Sequence, residues 1–519
     1  MYSIVEAVYE HAQRDPERTA IIFEGETISY GALWADIERF ARGLRSWGAQ
    51  SGDRVALFLE NCPDFVVAYL GAHLAGCIAV LVNTQYRQVE LSHILNDARV
   101  RLCVTSPAGA TELATISAPS LEELILVGGE ESAEGQPASG APESIQFAQW
   151  LARGSEDGQI ATSFEMPAPD APAVLGYTSG TTGRAKGALL LQRNLLANIQ
   201  AITQAWRWTE HDRLLLTLPL FHAHGLMVGM HGTLFTGASV VLRRKFDASD
   251  VLTTINADTA ITMFFGVPTM YGRLLAKAER RDAPPRHLRL YVSGSAPLSP
   301  QVFAEFERVF GQRILERYGM TETIMNMTNP YDGERRPGTV GAPFPGQEAR
   351  IVGVADRQPL PDGELGEIEV RGPHVFAGYW NRPDATAEAF SADGWFKTGD
   401  LGWRSADGYF TITGRARELI ISGGYNVYPR EIEDVLAEHS AVAEVAVLGA
   451  PDADLGEQVV AVIVPKDAQA PDADDIIAFC RERLASYKKP RQVVFVDSLP
   501  RNALGKVQKH LLAERLKNE

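Results

Sequence analysis

The sequence predicts an α/β protein, with a large N-terminal body of mixed sheets flanked by helices and a small α+β C-terminal domain. Three observations carry the prediction. Helical and strand patterns alternate from the first residues, the composition changes after Asp400 to short strands, and the tail repeats a compact βα pattern. At roughly 100–200 residues per domain, a chain of 519 residues has room for two to four domains and a large core.

The elements follow in order. Ile4 to Ala12 has helical spacing, and TAIIF (Thr19 to Phe23) reads as a strand. SYGALWADIERFARGLRSWG is an amphipathic helix capped by Ser29 and closed by Gly48. RVALFLE is a strand, PDFVVAYLGAHLAG a helix and CIAVLVN a strand, an alternation that points to parallel sheets with helices on their faces. The small, acidic, Gly/Pro/Ser-rich segment from Gly128 to Ser144 reads as an exposed loop. Late in the chain, GEIEVRG, GYFTITGR and LIIS are short strands. REIEDVLAEH, VAEVAVLGA, QVVAVIVP, DDIIAFCRERLA and RQVVFVD then form a separate domain of about 100 residues.

Composition narrows the function classes. Lys+Arg 49 against Asp+Glu 65 gives −16, which argues against an extended nucleic-acid or membrane binder. The hydrophobic fraction of 45% is that of a globular chain. Cys62, Cys77, Cys103 and Cys480 have no metal-site spacing, so they are expected as reduced, buried thiols. Glu6 and Glu10 interrupt any signal-peptide pattern, and no apolar run reaches the ~20 residues of a membrane span. The expectation is a cytoplasmic protein with no membrane span and no nucleic-acid partner.

The most informative stretch is YTSGTTGRAKG, Tyr177 to Gly187. Its hydroxyls, its glycines and Lys186 suit a polyphosphate, whose charge is shared among backbone N–H groups and side chains. It is not a Walker A loop, because Lys186 lies between Ala185 and Gly187 rather than before Ser or Thr. Four further motifs follow: ERYGMTET (Glu316 to Thr323), WFKTGD (Trp395 to Asp400), GRARELIISGGYNVYPREIE (Gly414 to Glu433) and LPRNALGKVQK (Leu499 to Lys509).

With these five motifs in this order, the chain resembles the adenylate-forming acyl-CoA synthetase superfamily over nearly its whole length. Ala185 departs from the Pro usual there, a change of loop stiffness more than of chemistry. The resemblance implies a body over residues 1–414 that includes a distorted β-barrel portion, a hinge at 415–417 and a mobile lid over 418–519. It also implies a two-step reaction: a carboxylate attacks the α-phosphate of ATP to give acyl-AMP and pyrophosphate, and the thiol of CoA then displaces AMP. Bringing two anions together demands concentrated positive charge, including Mg²⁺.

Residue by residue, the resemblance implies that Thr178, Ser179, Gly180, Thr181, Thr182, Gly183 and Lys186 hold the phosphates. Ser295, Ala296 and Pro297, with Tyr318, Gly319 and Met320, are expected at the adenine. Thr321 is expected at the α-phosphate, Glu322 at Mg²⁺, Asp400 at both ribose hydroxyls and Arg415 at the ribose or phosphate. Lys506 would bridge the α-phosphate and the attacking carboxylate. Arg417 is the expected hinge residue, and Gly423 and Gly424 would let the pantetheine arm pass. His222 matches an aromatic-or-His gate near the acyl pocket, whereas His224 reads as structural. Lys488, Lys489 and Arg491 fit either the CoA phosphates or a solvated patch.

For the acid, FFGVPTMYGRLL, SGSAPL and NPYDGERRPG resemble malonyl-CoA synthetases, implying malonate or methylmalonate, with Arg273 paired to the distal carboxylate. A solvent-facing Arg273 is the competing reading, and with it a medium-chain fatty or aromatic acid. A non-catalytic nucleotide-binding module is less favoured, since Glu322, Asp400 and Lys506 are all present, and nothing in the sequence argues for a carrier-protein adenylating enzyme or a luciferase-like oxygenase. Oligomeric state is not legible in the sequence.

Overall fold

The computed structural model describes residues 3–128, 142–156, 164–178, 185–278, 285–422, 425–452, 454–467, 470–502 and 505–518. The chain divides into two compact units. One comprises Met1–Pro337, Ala342–Glu348 and Arg371–Gly394; the other comprises Gly338–Gly341, Ala349–Val370 and Trp395–Glu519.

Local signals act as the sequence predicts. Ser29 Oγ accepts the backbone N–H of Ala32 at 3.2 Å and starts the helix Tyr30–Trp47, and Gly48, at φ 92°, ends it. The helix buries Leu33, Ile37, Phe40 and Leu44, the apolar stripe read from its spacing. Pro63–Leu74 is buried almost all round, which fits its unbroken apolar sequence. The four cysteines are buried free thiols.

Two sheets organise the first unit. The nine-stranded sheet places Arg213–Leu216, Met263–Gly266, Leu290–Ser293 and Leu315–Tyr318 side by side, all parallel. In the eight-stranded sheet, Pro172–Thr178 pairs with Ile78–Leu81 in parallel and with Lys186–Leu191 antiparallel. An aromatic cluster fixes the helix Pro268–Ala278 on the first sheet. Tyr271 meets Phe306 edge-on at 5.2 Å, Phe306 stacks on Phe310 at 4.2 Å, and Tyr271 Oη donates to the Val292 carbonyl at 2.6 Å.

In the second unit, Glu348–Val352, Gly366–Arg371, Phe396–Arg404 and Phe410–Arg415 form a four-stranded sheet with free edges. The barrel-like portion expected from the resemblance is thus an open sheet, and no described sheet closes on itself. A five-stranded sheet contains Ile420–Ser422, Tyr425–Val427, Val442–Asp452, Gly456–Pro465 and Gln492–Phe495. Pro429–Ala437 and Ala473–Arg483 contribute Ile432, Leu436, Ile476 and Cys480 to its core. Among the described residues, no helix is long and apolar enough to cross a membrane.

Candidate functional site

In open α/β sheets, ligands bind beyond the carboxyl ends of the strands. Here four neighbouring parallel strands end together. Beyond Arg213–Leu216 comes the loop carrying His222 and His224, beyond Met263–Gly266 the helix carrying Arg273, beyond Leu290–Ser293 the turn with Ser295, and beyond Leu315–Tyr318 the run Gly319 to Glu322. Two of these turns hold non-glycine residues in the left-handed region, Ser295 at φ 69° and Ile324 at φ 60°. Strain of that kind persists where surrounding structure over-determines the backbone.

The two sheets meet at Thr321 and Glu322. A Cβ on Gly176 would come within 2.6 Å of Thr321 Cγ2, so only glycine lets the half-buried Thr321 approach that strand. Glu322 is buried, and Tyr379 Oη donates to its Oε1 at 2.9 Å. Burial and the Glu322 charge both push the Tyr379 phenol up, so it stays a donor. Lys186 Nζ stands 5.2 Å over the Tyr379 ring. Thr178 and Lys186 are cross-strand partners, and Thr178 Oγ1 donates to the Lys186 carbonyl at 3.4 Å. The calls on Ser179, Gly180, Thr181, Thr182 and Gly183 lie outside the described residues. Tyr379 carried no signal in the sequence: 57 residues separate it from Glu322.

Among the described residues, no group of three or more His, Cys, Asp or Glu side chains is placed to hold a metal. One buried carboxylate is what Mg²⁺ requires when phosphates and water supply its other oxygens, so Glu322 fits.

Beside this run lies a second cluster. The His224 backbone N–H donates to His222 Nδ1 at 3.2 Å, which leaves His222 Nε2 as the protonated nitrogen of the neutral ring. Burial, and then Arg317, pushes the His222 imidazole down to about 4. His224 is pushed down by burial, Arg317 and His222; its Nδ1 lies 3.4 Å from Ser295 Oγ, and its ring stacks on Phe265 at 6.4 Å. The structural reading of His224 therefore understates its position, because it touches an expected site residue. Tyr318 is buried, Gly319, Met320 and Ala296 are half-buried, and Pro297 is exposed.

The second unit gathers Asp400, Arg415 and Lys506. Asp400 is buried, its backbone N–H donates to Thr398 Oγ1 at 3.1 Å, and Arg415 Nε stands 3.1 Å from its Oδ1. Lys506 is held in a tight turn by its backbone N–H to Asn502 Oδ1 at 2.9 Å. Burial and then Arg415 push the Lys506 amine down to about 8, with Asp400 and Glu418 opposing. Arg417 lies in the single turn Ala416–Glu418, between the last strand of the four-stranded sheet and Ile420–Ser422. Gly423 and Gly424 lie outside the described residues. Lys488 is engaged with both oxygens of Glu431 at 2.6 and 2.7 Å.

Of the two readings of Arg273, the structure has the solvent-facing one. Its helix turns Tyr271, Leu274, Leu275 and Ala278 to the core and leaves Arg273 exposed on the opposite side, without an ion pair among the described residues. The buried cation of this region is Arg317, which the sequence reading passed over.

A model of the AMP-binding enzymes matches residues 8–380, and one of the AMP-binding enzyme C-terminal domain matches residues 431–506. The chain is 35% identical to a long-chain-fatty-acid–CoA ligase of Bacillus subtilis over 98% of its own length and 94% of that protein's. It is 38% identical to a sulfoacetate–CoA ligase of Cupriavidus necator, covering 93% and 92% of the two chains. It is 33% identical to a malonate–CoA ligase of Arabidopsis thaliana, covering 100% and 90%. The crystal structure of ATP-bound MatB from Rhodopseudomonas palustris superposes with a TM-score of 0.88 at 38% identity, covering 99% of each chain.

Proposed function

The chain belongs to the AMP-binding enzyme family of acyl-CoA ligases, and from that premise we propose that its acid is malonate or methylmalonate. The reaction consumes a carboxylic acid, ATP and CoA, and yields an acyl-CoA thioester, AMP and pyrophosphate. The observation that carries the ligase reading is the convergence of Thr321, Glu322, Tyr379 and Lys186 beyond strands of two sheets.

A carboxylate is a poor acyl donor, and adenylation gives it a leaving group. Thr178, the 179–183 loop and Lys186 bind the β- and γ-phosphates, and Thr321 orients the α-phosphate. Tyr379 holds Glu322 in place. Glu322 would hold Mg²⁺, which when bound would supply neutralising charge at the phosphates. Ser295 to Pro297 and Tyr318 to Met320 flank the adenine, Asp400 holds the ribose and Arg415 supports it. Lys506 neutralises the attacking carboxylate and the α-phosphate together. A hinge at 415–417, with Arg417, would let the 418–519 segment exchange Lys506 for the Gly423–Gly424 loop before the thiol arrives. The cytoplasm is the proposed location, supported by four buried thiols without disulfides.

The diacid reading is supported by the NPYDGERRPG run and by relatives named for malonate and sulfoacetate, both short acids with a second anion. A medium-chain fatty or aromatic acid is the second reading, favoured by the fatty-acid relative and by the exposure of Arg273. The test is an acid panel with ATP, Mg²⁺ and CoA, scoring thioester and AMP for C2 to C12 mono- and dicarboxylates. Preference for malonate over butyrate supports the proposal; preference for a long or aromatic acid replaces it.

A further inference from the structure

The helix Gln88–Ala98 buries Leu91, Ile94, Leu95 and Ala98 against the eight-stranded sheet, and His93 and Asp97, four positions apart, share one side of it. His93 Nε2 stands 2.7 Å from the Ala185 carbonyl; that oxygen can only accept, so the ring carries a proton on Nε2. Asp97 is engaged twice: Oδ2 accepts Tyr177 Oη at 2.9 Å, and Oδ1 accepts Arg382 Nη2 at 2.8 Å. Burial, and then the Asp97 charge, push the Tyr177 phenol up, so it remains a donor. The Tyr177 ring meets His93 edge-on at 6.2 Å, and a Cβ on Gly187 would stand 3.1 Å from its Cζ, so the glycine leaves the phenol its place.

Two of these partners adjoin residues proposed at the phosphates. Tyr177 precedes Thr178, Ala185 precedes Lys186, and Thr178 and Lys186 are themselves cross-strand partners. The third, Arg382, donates its backbone N–H to the Tyr379 carbonyl at 3.1 Å, and the next residue after Tyr379, Trp380, donates to the Gly187 carbonyl at 2.7 Å. One short helix therefore braces the strand of Thr178 through a phenol, the strand of Lys186 through a carbonyl, and the turn of Tyr379 through a guanidinium. A subsite whose backbone is fixed beforehand loses less freedom when its ligand arrives.

We propose that His93 and Asp97 are positioning residues for the polyphosphate of ATP, acting through Ala185 and Tyr177 to hold Lys186 and Thr178 at the spacing that the β- and γ-phosphates require. The inference rests on the assignment of Thr178 and Lys186 to those phosphates and adds the residues that place them. The negative charge of Asp97 is committed to Tyr177 and Arg382, so it supports the subsite without opposing the phosphates. Because the bracket acts beyond the α-phosphate, it favours ATP over AMP.

The test measures Kd for ATP with Mg²⁺ and for AMP by calorimetry, without acid or CoA. It compares wild type, His93→Ala, His93→Gln, Asp97→Ala, Tyr177→Phe and, as the reference, Lys186→Ala. His93→Ala and Asp97→Ala should weaken ATP about tenfold while AMP stays within about twofold, since one positioning hydrogen bond contributes roughly a decade. Tyr177→Phe removes only a hydroxyl and should weaken ATP about fivefold, again with AMP unmoved. His93→Gln offers its amide N–H to the Ala185 carbonyl and should return ATP affinity to within about twofold of wild type. A merely structural helix would shift both nucleotides together or neither, and would leave the ratio of the two Kd values at the wild-type value, which would overturn the assignment. If His93→Ala or Asp97→Ala does not fold, Tyr177→Phe decides by the same ratio. Lys186→Ala separates the two levels. If it weakens ATP against AMP and the bracket variants do not, the bracket alone fails; if it leaves the ratio unchanged, the phosphate assignment fails and the inference with it.

Discussion

Arg415 Nε stands 3.1 Å from Asp400 Oδ1, and the two residues are direct cross-strand partners in the four-stranded sheet. Register alone brings the expected ribose carboxylate and its cation together, and it does so on strands rather than on a loop. The pair is therefore formed before nucleotide arrives. Asp400→Ala should raise KM for ATP by tenfold or more, about 1.4 kcal/mol per decade. It should also destabilise the unit by ~1–3 kcal/mol, because a buried charged hydrogen bond is lost. Pyrophosphate exchange and urea unfolding measure the two; unchanged ATP affinity would remove Asp400 from the ribose.

The proposed role of Lys506 is confined to one half-reaction. Lys506→Ala should abolish acyl-AMP formation and spare thioester formation from supplied acyl-AMP; equal loss in both would indicate a folding role. Since the free-enzyme amine titrates at about 8, adenylation kcat/KM should decline as pH rises through that value. In Lys506→Arg, whose side chain stays charged, residual activity should lack that alkaline limb.

Acid stability carries the opposite limb. Burial pushes His73 and His222 down to about 4 and His231 and His374 down to about 3. Between these values and the ordinary 6.5, the unfolded chain binds more protons than the folded one, so stability falls as pH falls. Each such histidine removes about 1.4 kcal/mol per pH unit across its window. Urea midpoints should therefore drop steeply from pH 6.5 to 4.5, and a flat profile would contradict the burial of these rings.

Tyr379 donates to Glu322 Oε1, the expected Mg²⁺ carboxylate. Tyr379→Phe should cost about 1 kcal/mol of stability and raise the Mg²⁺ concentration for half-maximal adenylation severalfold. An unchanged Mg²⁺ requirement would mean that Glu322 is held without the phenol.

Arg273, being exposed, should act weakly. Arg273→Leu is expected to raise KM for a diacid by about fivefold or less, an effect that fades with salt, because exposed pairs contribute about 0–1 kcal/mol. A loss of two decades would place Arg273 at the acid.

What the sequence determined by itself was local or motif-bound: the Ser29 cap, the Gly48 stop and the order of the five motifs, from which the expectations at Glu322, Asp400 and Lys506 were drawn. Those features depend on backbone period and on residue type at short spacing, which a linear string displays. Tertiary structure decided which charged groups lose water. Arg273 and Arg317 look alike in the string, one on a predicted helix and one inside a motif. The helix axis turns the first outward, while Gly294, 23 positions before Arg317 and just past the end of a neighbouring strand, opens the space that buries the second. Tyr379 reaches Glu322 by the same route. Desolvation and pairing depend on what distant segments bring within a few ångströms, and no spacing along the chain encodes that.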